Sequence, residues 1–171
     1  MLLPTSVDLL RCVQRTLETV IVPKLNGLGE RSAAATMGHM LRYVALRIEK
    51  EGQILADEIE VLRPLLSQVD VHLASLPRSD SDASQIRDAI AALLGNPSGA
   101  QGYRSVASLA DEVSALRQQA CDALALILKR EPQPSGSAAN VHDAIMRYIT
   151  WEIEHEAQVI DPAFEGFGPR R

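Results

Sequence analysis

The sequence predicts an all-α fold, an antiparallel helical bundle of four long helices plus one short helix, on three observations. Apolar residues recur every three or four positions along most of the chain, the period of an amphipathic helix. Runs that alternate apolar and polar residues and are rich in Val, Ile, Thr and aromatics are missing, so no strand is expected. The breaks between periodic segments are brief and carry Pro, Gly, Asn or Ser, which suits turns between neighbouring helices.

The first helix opens at Thr5-Ser6-Val7-Asp8, which resembles a capping box. Its inward face is expected to carry Leu9, Leu10, Val13, Leu17, Val20 and Ile21, and Pro23 with Asn26-Gly27 should end it. The second begins near Glu30 to Ala33 and runs at least to Leu62, with an inward stripe of Met37, Leu41, Val44, Ile48, Leu55, Ile59, Leu62 and Leu66. Pro64 should kink or break it, since proline lacks the backbone donor and clashes one turn back. Residues 77–84 read as a loop, followed by a short helix from about Ser84 to Leu94, capped by Gly95. After a second loop, a helix from about Ser105 to Arg130 carries Val106, Leu109, Val113, Leu116, Ala120, Leu124 and Ile127 on one face. The last helix spans about Ala138 to Ile160, with Val141, Ile145, Ile149, Ile153 and Ile160 inward, and Pro162 should stop it. The expected organisation is one helical-bundle domain over 1–161 and a tail over 162–171, able to dock through Phe164 and Phe167.

Composition narrows the function classes. In 171 residues, 17 Lys and Arg stand against 22 Asp and Glu, a net charge of −5, which argues against a duplex nucleic-acid binder. Six aromatic residues (Phe 2, Tyr 3, Trp 1) are too few for a base-stacking platform. No apolar run reaches the roughly 18 residues of a membrane span. The opening Met1-Leu2-Leu3-Pro4 has no basic segment ahead of an apolar one, unlike a secretory signal. Cys12 and Cys121 are far apart and form no Cys-x-x-Cys unit, so they are expected to be buried, reduced thiols of a cytoplasmic protein.

Several charges fall on the apolar faces when each helix is projected at about 100° per residue. Arg47, Glu51 and Glu58 lie in or beside the stripe of the second helix, and Arg47 and Glu51 are spaced to pair. Arg117 falls among the apolar positions of the next long helix, and Glu152 and Glu156 among those of the last, with His142 on that arc and His155 at its edge. An unpaired charge in an apolar core costs several kcal/mol, so these groups must pair, reach water or bind something. They make a structural ion-pair network, or a rim of long side chains reaching water, or a polar pocket.

A metal site is the sharper alternative. Glu152 and His155 form a Glu-x-x-His unit, which sets a carboxylate and an imidazole on one helical face. Di-iron bundles repeat that unit on two helices, whereas here it occurs once. A single ion held by Glu152, His155, Glu156 and Glu51 or Glu58 is conceivable, although two inward arginines would repel it. Nucleophile elbows, P-loops and dinucleotide fingerprints do not occur. His39 projects to the polar face of its helix and reads as solvated.

The second helix has a second apolar flank, Met40, Tyr43, Ile54, Val61 and Leu65, so its apolar arc is unusually wide. Such a helix is central or meets a partner, and a homodimer would cover it.

The pattern Pro4, Leu9-Leu10, Val13, Leu17, Val22-Pro23, Leu25, Gly27, Ala35, Leu41, Val44, Arg47, Glu49 and Glu51 resembles a family of small helical bacterial proteins of unknown function. That family is associated with aminoglycoside-phosphotransferase-like kinases and acyl-CoA dehydrogenases. The resemblance covers about residues 4–66 and carries over no catalytic residue. It implies a bacterial cytoplasmic accessory protein in acyl-CoA or xenobiotic degradation. The leading expectation is therefore a non-catalytic interaction or accessory protein, a homodimer with room for a further protein partner. The alternatives are a metal-binding carboxylate and histidine bundle, or a carrier that grips a small acidic or acyl ligand with Arg47 and Arg117.

Overall fold

The computed structural model describes residues 3–77, 79–95 and 104–164, and every regular element among them is helical. Helix α1 (Ser6–Thr16) runs into a π turn (Leu17–Ile21) and a 3-10 turn (Val22–Lys24). Then come α2 (Leu28–Ala74), α3 (Ser81–Gly95), α4 (Val106–Arg130) and α5 (Gly136–Phe164). No helix among them is long and apolar enough to cross a membrane. Two compact units result, a terminal one of Met1–Glu51 with Glu154–Arg171 and a central one of Gly52–Ile153.

The helix starts follow local chemistry. Thr5 caps α1: its side chain accepts from the Asp8 backbone N–H at 3.1 Å, and the Thr5 N–H donates back to Asp8 Oδ2 at 2.9 Å. The Thr5 hydroxyl also donates to Asp8 Oδ2 at 2.7 Å, and this bond, with the one from the Thr5 N–H, lowers the Asp8 pKa from its usual value. Ser105 caps α4 by accepting from the Ser108 N–H at 3.1 Å. Gly136 enters α5 at φ 55°, a left-handed conformation that glycine adopts without a Cβ penalty.

The central unit holds a continuous core. Ile59, Leu62, Leu65, Leu66, Val69 and Leu73 of α2 join Ile90 of α3, Leu109, Val113, Leu116 and Ile127 of α4, and Val141, Ile145 and Tyr148 of α5. This burial explains why Pro64 does not end α2, which continues through it to Ala74. Proline in a helix costs about 3 kcal/mol, but its own ring is exposed while Leu62, Leu65 and Leu66 beside it are buried. Packing on that scale outweighs one missing backbone bond.

In the terminal unit the expected inward faces are largely outward. Leu9, Val13, Val20 and Ile21 on the first helix and its turn, and Met37, Val44 and Ile48 on α2, are exposed. The buried residues there are small: Ala34, Gly38 and Ala45 on α2 and Ala163 on α5, together with Val7, Leu17 and Val159. Glu18 Oε1 stands 4.0 Å from where a Cβ on Gly38 would be. The buried positions on α2 are thus small ones, while the large apolar residues beside them stay in the open. The salt bridges Arg11–Glu49 at 2.7 Å and Arg42–Glu18 at 3.9 Å also join the first segment to α2.

Helix α5 likewise passes Pro162, so the stop expected there does not occur, and the helix is described to Phe164. His39 Nδ1 donates to the Ala163 carbonyl at 3.1 Å, and the His39 and Phe164 rings stack at 5.6 Å. His39 is thus a half-buried packing residue, contrary to the solvated reading. Phe167 lies outside the described residues. Ile153 and Ile160 are exposed, since α5 turns other residues inward there. Both cysteines are exposed as well. Cys12 lines an open groove and Cys121 lies on the α4 face away from the core.

Candidate functional site

The buried polar centre of the central unit is built on Glu58. Helix α2 commits the residues that follow, Ile59 and Leu62, to the core, so the Glu58 carboxylate is carried inside, where it is 1% exposed. Helix α4 brings Arg117 to it, one residue after the fully buried Leu116. Arg117 Nε donates to Glu58 Oε1 at 2.5 Å and Nη2 donates to Oε2 at 2.8 Å, a two-point fork. Helix α5 supplies two more groups. The Tyr148 hydroxyl donates to Glu58 Oε1 at 2.5 Å, and Glu152 Oε1 accepts from Arg117 Nη1 at 2.7 Å.

The electrostatics follow from these contacts. Hydrogen bonding to Glu58 raises the Arg117 pKa above its usual value, against the opposing effect of burial. Burial, then the hydrogen bond to Glu58, raises the Tyr148 pKa. Both groups therefore keep their protons across the ordinary pH range. A general acid or base works best with a pKa near the working pH, and neither group meets that condition. Among the described residues, no buried side-chain nitrogen or oxygen lacks a hydrogen-bond partner. Within the cluster Glu58 is the shared acceptor, and the Arg117 and Glu152 ends reach partly into solvent.

The remaining candidates are distributed elsewhere. Arg47 pairs with Glu51 one turn away and lies over the Tyr43 ring at 5.7 Å, in the terminal unit, with its side chain 46% exposed. Glu156 is exposed, because its stretch of α5 turns Val159 inward instead. His155 is half-buried and belongs to the terminal unit, whereas Glu152 belongs to the central one and is engaged by Arg117. Among the described residues, no group of three His, Cys, Asp or Glu could hold a metal ion.

Two groups escaped the sequence reading. Tyr148 has no place among the sequence candidates, yet its hydroxyl completes the Glu58 site. Its place three residues after Ile145 on the core stripe was the signal, since a buried tyrosine needs a partner for its O–H. Glu112 is held by Arg63 through Nη2 at 2.7 Å and by Arg104, with its own side chain 9% exposed. Its place four residues before Leu116, on the same face of α4, marked it.

Surface hollows also occur among the described residues. One, of about 280 Å³, lies by Pro64, Gln68, Arg147 and Trp151 in the central unit. Another is an apolar groove of about 670 Å³ in the terminal unit, between the first helical segment and α2. Its walls include Val13 and Ile21 on one side and Met37, Met40 and Val44 on the other. Neither hollow is lined by Arg47 or Arg117. No family model, no curated protein and no solved structure matches the chain.

Proposed function

We propose that this chain is a non-catalytic interaction or accessory protein, which works by binding through its terminal unit. The apolar groove carries the reading. Val13, Ile21, Met37, Met40 and Val44 each leave 41–55% of their surface exposed along its two walls. Contiguous apolar surface of this kind marks an interaction site. The Glu58–Arg117–Tyr148–Glu152 cluster supports the same reading, since the buried Glu58 carboxylate is held by Arg117 and Tyr148. In this view the cluster fixes the register of helices within an antiparallel bundle of four long helices and one short one. The chain pairs with itself and is read as cytoplasmic. On the resemblance over residues 4–66, we read its role as that of an accessory in bacterial acyl-CoA or xenobiotic degradation.

Native mass spectrometry of untagged protein purified without chelators tests the proposal. The expected masses are those of the polypeptide and its assemblies alone. A stoichiometric metal would overturn it in favour of the carboxylate and histidine site at Glu152 and His155. A stoichiometric organic mass would overturn it in favour of a carrier.

A further inference from the structure

The groove is the centre of a longer apolar face. On the first segment, Leu9, Val13 and Val20 are exposed at spacings of four and seven. On α2, Met37, Val44 and Ile48 are exposed at spacings of seven and four, with Leu41 half-buried among them. Steps of three and four are those of a helix seam that meets other helices. A two-helix layer with both seams open is half of a four-helix arrangement.

The groove lining carries no charged side chain, and charge borders the face only toward Ile48, where Arg47 and Glu51 pair with each other. Projected at about 100° per residue, Asp8, Arg11 and Arg15 fall on the far side of α1, while Ser6, Cys12 and Thr16 flank its stripe. On α2 no charged residue falls on the stripe between Glu30 and Arg47. Self-pairing sets a surface against its own copy, so any one-signed charge on it would meet its like. An uncharged groove avoids that cost, and the Arg47–Glu51 pair at its end carries both signs. Its extent fits as well. Eight large apolar side chains (Leu9, Val13, Val20, Ile21, Met37, Met40, Val44 and Ile48) stand 41–55% exposed, a patch of several hundred Å². A standard stable interface buries roughly 800 Å² on each partner.

We infer that this face is the interface between two copies of the chain. The first helical segment and the N-terminal half of α2 from each copy stack into a shared four-helix layer. The inference rests on the interaction reading above and names its partner and surface.

Sedimentation velocity and light scattering under reducing conditions, from low micromolar to near millimolar protein, test it. The wild type is expected to dimerise. Val13→Glu and Val44→Glu should each weaken the dimer by more than about tenfold, since a buried unpaired charge costs well over 1.4 kcal/mol. Their helical circular dichroism should be retained. Val71→Glu, at a side chain 72% exposed in the central unit, should leave the dimer intact. Should the groove variants fail to fold, alkylation of the wild type decides. Cys12, in the groove wall, should be protected as concentration rises, while Cys121 keeps its rate. A wild type that stays monomeric throughout would overturn the self-pairing and leave the interaction reading standing. A dimer that survives both groove substitutions, or leaves Cys12 as reactive as in the monomer, would overturn this surface. Failure of the interaction reading itself appears in the other experiment, as a bound metal or organic mass.

Discussion

Glu58 and Arg117, 59 positions apart in sequence, meet through two parallel hydrogen bonds of 2.5 and 2.8 Å inside the central unit. The pair joins the middle of α2 to the middle of α4, and Tyr148 ties α5 to the same carboxylate. A buried ion pair gains little over apolar packing, but losing one partner is costly because the other is left uncompensated. The cluster therefore specifies which helix faces which more than it adds stability.

Glu58→Ala is expected to destabilise the fold by about 3 kcal/mol, the lower part of the range for breaking a buried pair. Arg117 would keep Glu152, and about a third of its side chain already meets solvent. Glu58→Gln should cost less, about 1–2 kcal/mol, because the amide still offers one acceptor oxygen. Replacing the whole cluster as Glu58→Leu, Arg117→Met and Tyr148→Phe should cost less than Glu58→Ala alone. Urea denaturation of the four proteins checks the order. A triple variant as unstable as the single one would mean that the cluster supplies net stability.

Arg47 and Glu51 are expected to behave differently. They form an exposed pair within one helix, with side chains 46% and 28% exposed, and such pairs are worth about 0.3–0.5 kcal/mol. Glu51→Ala should therefore shift the urea midpoint barely at all, and adding salt should erase the shift. A loss of several kcal/mol would show that Glu51 is tied into something larger than its pair with Arg47.

The contrast between the two arginines shows how far the sequence could be read. Both fall on the apolar arcs of their helices when projected. Periodicity reports which residues share a face, not how closely another helix approaches it. At Arg117 the neighbouring helices close over Leu116 and Ala120, so a charge there had to be paired. At Arg47 the unit is held through Ala34, Gly38 and Ala45, and the large apolar stripe beside them stays open. The same reason turned Val13, Met37 and Val44 from core residues into groove residues. The helices themselves were legible because their caps and turns are local chemistry. Tyr148's role was not, because it depends on a carboxylate 90 positions away.

The glycines of α2 give a third expectation. A Cβ on Gly52 would make ordinary contact with Val106 at 3.7 Å, and one on Gly38 would meet only the end of the Glu18 side chain at 4.0 Å. Glycine inside a helix costs about 0.8–1 kcal/mol relative to alanine. Gly52→Ala and Gly38→Ala should each raise the thermal midpoint by a few degrees. A fall in either would mean that the fold needs the backbone freedom of glycine at that point of its longest helix.

His72 gives a stability that depends on pH. It is buried near the end of α2, with Nδ1 3.0 Å from Ser137 Oγ. Burial lowers its pKa below the usual 6.5, the nearby Arg130 cation lowers it further, and Glu131 opposes them. The folded protein thus holds His72 neutral at a pH where the unfolded chain already takes up the proton. Where the unfolded state binds more protons, stability rises with pH. The His72 contribution is complete above about 6.5 and is lost as the pH falls through the lower folded value. His72→Asn keeps a donor near the position of Nδ1 but cannot take up a proton. Its stability should change less than that of the wild type between pH 7.5 and 5.5, measured by urea midpoints. The gap between the two proteins should narrow as the solution is acidified. Parallel curves would mean that the imidazole protonates as readily in the fold as outside it, and that its burial carries no penalty for charge.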